Sequence, residues 1–150
     1  MIAMLLALGV TVAGCGWQPA APPAPPEDSC ADSDGPSPDT VRRAIAAAPP
    51  IENAAWTETA RGHTRNCRLY WVKLSLADAT PVGPERLLFF DHNTPLGGPD
   101  PQPYTTVVSA GRDAVIVQYQ WRVDDDPPCC PTGGRTTRYR IGPHGKLEAG

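Results

Sequence analysis

The side chains with most chemistry to offer are five cysteines: Cys15, Cys30, Cys67, Cys129 and Cys130. A cysteine can carry lipid, bind a soft metal, exchange with a disulfide or close a structural crosslink, and spacing decides among these. Zinc takes ligands in spaced pairs such as C-x2-C, and thioredoxin-like redox chemistry takes C-x-x-C at a helix start. Neither spacing occurs here. Setting Cys15 aside leaves an even number, which in an exported chain reads as disulfides. Four cysteines allow three connectivities. The favoured one joins Cys30 to Cys67 and Cys129 to Cys130, because adjacent cysteines in a proline-flanked turn are easily left as a local pair. The alternative pairs Cys129 and Cys130 each with an earlier cysteine and avoids the strained ring of a vicinal disulfide.

Carboxylates and histidines offer less. Asp124-Asp125-Asp126 brings three acids together, but it lacks the alternation, glycine and distal glutamate of a calcium loop, so a solvated turn is expected. Asp91-His92-Asn93 has the types for a base or a ligand. It sits where a strand runs into segment 91–103, read as a loop of unusual length, and its plainer role is turn chemistry. His63 and His144 have no carboxylate or thiol at suggestive spacing. There is no G-x-S-x-G, H-E-x-x-H or phosphate-cradling glycine loop. Neither a metal, a cofactor nor an enzymatic activity is expected.

Cys15 has a different fate. Residues 1–14, MIAMLLALGVTVAG, form an apolar run too short for a bilayer span and of signal-peptide length. Val12-Ala13-Gly14-Cys15 resembles the bacterial lipobox, whose thiol accepts diacylglycerol. A basic n-region is missing, so the true start is expected upstream. Gly16 to Ser29 holds Pro19, Pro22, Pro23, Pro25 and Pro26, an extended spacer reaching roughly 40 Å. The expected organisation is signal peptide 1–14, lipidated cysteine and linker 15–29, and one domain over 30–150. The chain carries a formal charge of −3. Its basic residues all lie after residue 41, and five acids lie before it, so the tether is acidic and the domain nearly neutral. No global basic field is present to attract nucleic acid.

Elements must position these groups. Ser37 can cap a helix, Pro38 suits its first position, and Asp39 its positive end. Val41, Ala44, Ile45 and Ala48 form one apolar stripe before Pro49-Pro50 stops the helix. From Cys67 the period changes to two. Strands are expected at 68–76, 85–90, 104–110, 114–123 and 135–141, with a turn and short strand at the end. Short connections imply antiparallel pairing, giving an α+β fold with one N-terminal helix on a sheet of about five strands. Val115, Val117, Tyr119, Trp121 and Val123 should face the helix, with Gln118, Gln120 and Arg122 opposite. Arg138 and Arg140 would join that second face.

The order Cys30, helix, Trp56, Cys67, RLLFF, Leu96-Gly97-Gly98, Pro103-Tyr104-Thr105 and VIVQYQW resembles the LppP/LprE lipoproteins of actinobacteria over residues 30–150. Cys67-Arg68-Leu69-Tyr70-Trp71-Val72 departs somewhat from that family's pattern, as does Cys129-Cys130. The resemblance implies envelope anchoring and no established activity. The expectation is therefore a non-catalytic module, exported and held by lipid at the outer face of the cell membrane, that binds an envelope protein or glycan. A carrier of lipid or another apolar ligand and a small hydrolase are the alternatives. The expected interaction surface is Arg122, Arg138 and Arg140, which offer planar donors, with Asp91, His92 and Asn93.

Overall fold

Ser37 starts the helix as its chemistry requires: its side chain accepts a hydrogen bond from the Thr40 N–H at 3.2 Å. The computed structural model describes residues 29–77 and 83–150. The signal segment, Cys15 and the linker up to residue 28 lie outside the described residues. Helix α1 runs Pro38–Ala47, with Asp39 in its first turn. It stops before Pro49-Pro50, and the Ala48 N–H bonds the Ile45 carbonyl. Val41, Ala44, Ile45 and Ala48 all turn toward the protein.

Among the described residues nine strands follow α1, in two antiparallel sheets. The first contains β1 (Trp56–His63), β2 (Leu69–Leu76), β3 (Pro84–Asp91) and β4 (Thr94–Gly97) in that order, with β5 (Gln102–Pro103) also on β3. The second contains β6 (Thr106–Ala110), β7 (Ala114–Trp121), β8 (Gly133–Ile141) and β9 (Leu147–Ala149) in sequence order. The α+β class stands, but the expected single sheet of about five strands is replaced by two.

The reason lies in β2 and β3. Tyr70, Val72, Leu74, Leu88 and Phe90 pack with Val41, Ala48 and Trp56 on the α1 side. Leu69, Leu87 and Phe89 point the other way and pack with Val115, Val117, Tyr119 and Tyr139 of the second sheet. Phe89 and Phe90 are both fully buried, on opposite faces. Burying each such side chain stabilises by about 1.5–3 kcal/mol, so a helix over one face alone would leave half of that gain unrealised. The first sheet is thus a middle layer between α1 and the second sheet.

Four expectations change with this arrangement. The inner face of β7 is buried by the first sheet, not by the helix. β7 ends at Trp121, and Trp121 and Val123 are exposed, not buried with the rest of that face. Segment 91–103 is not one long loop: Asp91 pairs with Thr94 across a two-residue turn, and β4 and β5 follow. Strand β1, WTETARGH, was not expected; it is an edge strand with irregular register around Thr59, so half-buried alternation never develops.

The sheets are fastened at one end through their turns. The Arg65 N–H donates to the Gly111 carbonyl, and the Asn66 N–H to that of Arg112. Fully buried Thr64 holds the β1–β2 turn, accepting the Leu69 N–H at 3.1 Å and donating to Asn66 Oδ1 at 2.6 Å.

Candidate functional site

Cys30 and Cys67 are joined by a disulfide, with Cα atoms 5.4 Å apart. It links the segment before α1 to the β1–β2 turn, where Cys67 has a left-handed backbone (φ 55°). His63 lies against it, Nδ1 3.3 Å from Cys30 Sγ and 3.0 Å from the Thr64 carbonyl oxygen. Sequence spacing gave no sign of this contact, because 33 residues separate the two side chains. Beside it is a cleft of about 280 Å³, lined among others by Asp32, Arg61, His63, Tyr70 and Trp71.

The favoured Cys129–Cys130 bond is not formed. Both are exposed free thiols. They occupy the β7–β8 connection, whose shape is set by Asp126. Its carboxylate accepts the N–H groups of Val123 and Thr132 and the Thr132 hydroxyl, each at 2.8 Å. The Val123 and Thr132 amides and the Thr132 hydroxyl hold the Asp126 carboxyl below its usual range. The loop has these fasteners without a crosslink, so a vicinal bond is not needed to shape it. The acid run 124–126 is accordingly a turn, with Asp126 as its clasp. The Cys130 thiol is pushed up, first by its hydrogen bond with Cys129 and then by burial and neighbouring charge.

The six residues expected to form one interaction surface fall in three places. Asp91, at the end of β3, makes a two-pronged ion pair with Arg68, at 3.1 and 2.9 Å. His92 Nδ1 meets the Asp34 carbonyl oxygen at 2.9 Å, and Asn93 Oδ1 accepts the Ser37 N–H at 2.9 Å. This turn therefore clamps the entry to α1. Arg138 and Arg140 lie on the outer face of the second sheet, opposite Ile116 and Ala114 of β7. They pair with Asp113 and Glu148, each at 3.2 Å. Arg122 lies past the end of β7 and donates to the Asp126 carbonyl, so it belongs to the loop and not to that face.

The covered faces of the sheets also carry polar groups that were not marked as candidates in the sequence. Tyr119 and Tyr139 share a buried hydroxyl–hydroxyl hydrogen bond of 2.8 Å. Burial, with help from that bond, pushes the Tyr119 hydroxyl far above its ordinary titration range, so it stays neutral. Lys73 reaches Glu85 at 2.9 Å and the Thr105 carbonyl at 2.8 Å. Arg86 lies over the Trp56 ring, 5.7 Å from its centre, beside α1. Its Nε is buried with no hydrogen-bond partner. The signal for Arg86 was present in the sequence: it shares the odd-even phase of Leu88 and Phe90 and so must lie on the face under α1.

Fold and site together define a small disulfide-tied α+β domain that presents polar side chains from sheet and turns, suited to an oxidising compartment. The LppP/LprE lipoprotein family matches residues 61–144. The lipoproteins LppP of Mycobacterium bovis and of Mycobacterium tuberculosis strains CDC 1551 and H37Rv are each 52% identical over 145 residues, covering 95% of this chain and 83% of theirs. The chain belongs to the LppP/LprE lipoprotein family. No solved structure matches it.

Proposed function

We propose that this lipoprotein domain is a non-catalytic recognition module, held outside the membrane by lipid on Cys15, whose ligand is an envelope protein or glycan. The observation that carries this reading is the outer face of the second sheet. Both other layers lie on its inner side, and Gln118, Thr136, Arg138 and Arg140 stand exposed at cross-strand positions. Among the described residues Arg138 and Arg140 are engaged in exposed surface pairs. Such pairs are worth about 0–1 kcal/mol, so a ligand's carboxylate or hydroxyl can displace their partners at little cost.

The groups with acid–base potential point the same way. Asp91, His92 and Asn93 have structural partners in Arg68, Asp34 and Ser37, which explains their presence without catalysis.

The test is co-sedimentation of the purified chain with isolated cell-envelope fragments. Replacing Arg138 and Arg140 by serine should reduce sedimentation sharply, while Arg122→Ser, off the face, should not. Unchanged sedimentation of the double variant, with native circular dichroism, would refute this surface.

A further inference from the structure

A trench runs along α1 on the side of the molecule opposite the proposed recognition face. Leu88 and Phe90 line it beneath the helix, and Ala44, Ala47 and Ala48 form one wall. Pro95, Gly97 and Gly98 of the β4 hairpin form the other. It continues through Ala44, Ala47 and Pro95 toward Thr40, Arg43 and Asn93 at the start of the helix. The space is about 280 Å³ where the helix ends and about 440 Å³ toward its start. From Thr40 to Pro49 the course is about 14 Å, at 1.5 Å per helical residue.

The walls are built low. Alanines keep the helix close to the sheet. At Gly98 a Cβ would stand 1.8 Å from the Leu87 carbonyl oxygen, so no side chain can be placed there. The result is a groove along one helix face, apolar over Leu88 and Phe90 and polar at its far end beside Thr40, Arg43 and Asn93.

Arg86 closes it where the helix stops. It shares the α1 face of β3 with Leu88 and Phe90, and its Nε is buried without a hydrogen-bond partner. Among the described residues no carboxylate forms an ion pair with it, and no acidic side chain lines either part of the trench. Trp56 stacks on the guanidinium but accepts no N–H in its plane. A partly buried cation with an unused donor beside an apolar channel is complementary to a molecule with an anionic end and an apolar body.

We propose that this trench binds one free medium-chain fatty acid, its carboxylate on Arg86 and its chain along α1 over Leu88 and Phe90. The acyl groups of an anchor on Cys15 end in esters or an amide and offer Arg86 no charge, so they fit less well. The site goes beyond the recognition face and stands independently of it.

The test is non-denaturing mass spectrometry of the full chain purified from its own host, incubated with equal amounts of lauric acid and dodecanol. The expected result is a one-to-one adduct favouring the acid by about tenfold or more, the scale of one charge-assisted hydrogen bond. Arg86→Gln should erase the preference, and Ala47→Trp, which fills the trench from an exposed helix position, should remove both adducts. Absence of a one-to-one adduct, or an undiminished acid preference in Arg86→Gln, overturns the proposal. Should Arg86→Gln fail to fold, an acid adduct that survives in Ala47→Trp overturns it equally.

Discussion

Replacing Cys30 and Cys67 together by alanine opens a covalent loop that spans 37 residues of sequence. The crosslink acts mainly by restricting the unfolded chain, and for a loop of this length the chain-entropy relation gives ~3.8 kcal/mol. Against the 5–15 kcal/mol typical of a whole domain, that is roughly a quarter or more of the stability. The native state should change little. Ser37 remains bound to Asn93 and Asp34 to His92, so α1 keeps its seat. Left-handed Cys67 is equally strained as alanine, which removes backbone geometry from the comparison. The far-ultraviolet spectrum of the folded variant should therefore match the parent. The urea midpoint should fall by about 2 M, taking a slope near 2 kcal/mol/M for this size. Equilibrium unfolding followed by tryptophan fluorescence measures it, and reductant added to the parent should reproduce the shift. A fall below about 0.5 M with an unchanged slope would show that the crosslink does not restrict the unfolded chain as argued.

Tyr119→Phe should destabilise by about 1–3 kcal/mol, because it leaves the buried Tyr139 hydroxyl without its partner; the double variant with Tyr139→Phe should recover part of this in a thermal-melt cycle. The depressed Asp126 carboxyl makes the β7–β8 loop pH-dependent. Its contribution is fully present above the ordinary value of 3.8 and is lost as pH falls through the lower folded value. Fluorescence of neighbouring Trp121 should thus hold down to below pH 3.8 and then change, and a transition above that pH would contradict the clasp. Alkylation of the native chain should label exposed Cys129 and Cys130 while leaving Cys30 and Cys67 unlabelled, as peptide mapping would show. Cys15→Ser should shift the chain out of the membrane fraction, and persistence there after a high-salt wash would argue against a lipid anchor on that residue.

Much of the local structure could be read directly from residue order. Ser37-Pro38-Asp39 and the stripe Val41, Ala44, Ile45, Ala48 specify α1, because capping and helical period act within a few residues. β2, β7 and β8 were legible from alternation, and β3 from its short unbroken apolar run. The bent edge strand β1 was not, since Thr57, Glu58, Thr59 and Arg61 carry no half-buried pattern. The apolar residues on both faces of ERLLFF already demanded a cover on each side of β3. Which element supplied the second cover was a matter of pairing between distant segments, and periodicity carries no such information.

The candidate site divides in the same way. Residue types by themselves picked out Cys30 with Cys67, the turn at Asp91-His92-Asn93, and the exposed phase of Arg138 and Arg140, because a strand's alternation or a turn's chemistry is local. Only the tertiary structure separated Arg122 from those arginines and placed His63 against the Cys30 sulfur. It likewise left Cys129 and Cys130 unbonded and set Arg86 without a counter-charge at the end of a trench. Each of these depends on where a strand stops or which chain segments meet across layers, and that is decided by burying both faces of the central sheet at once.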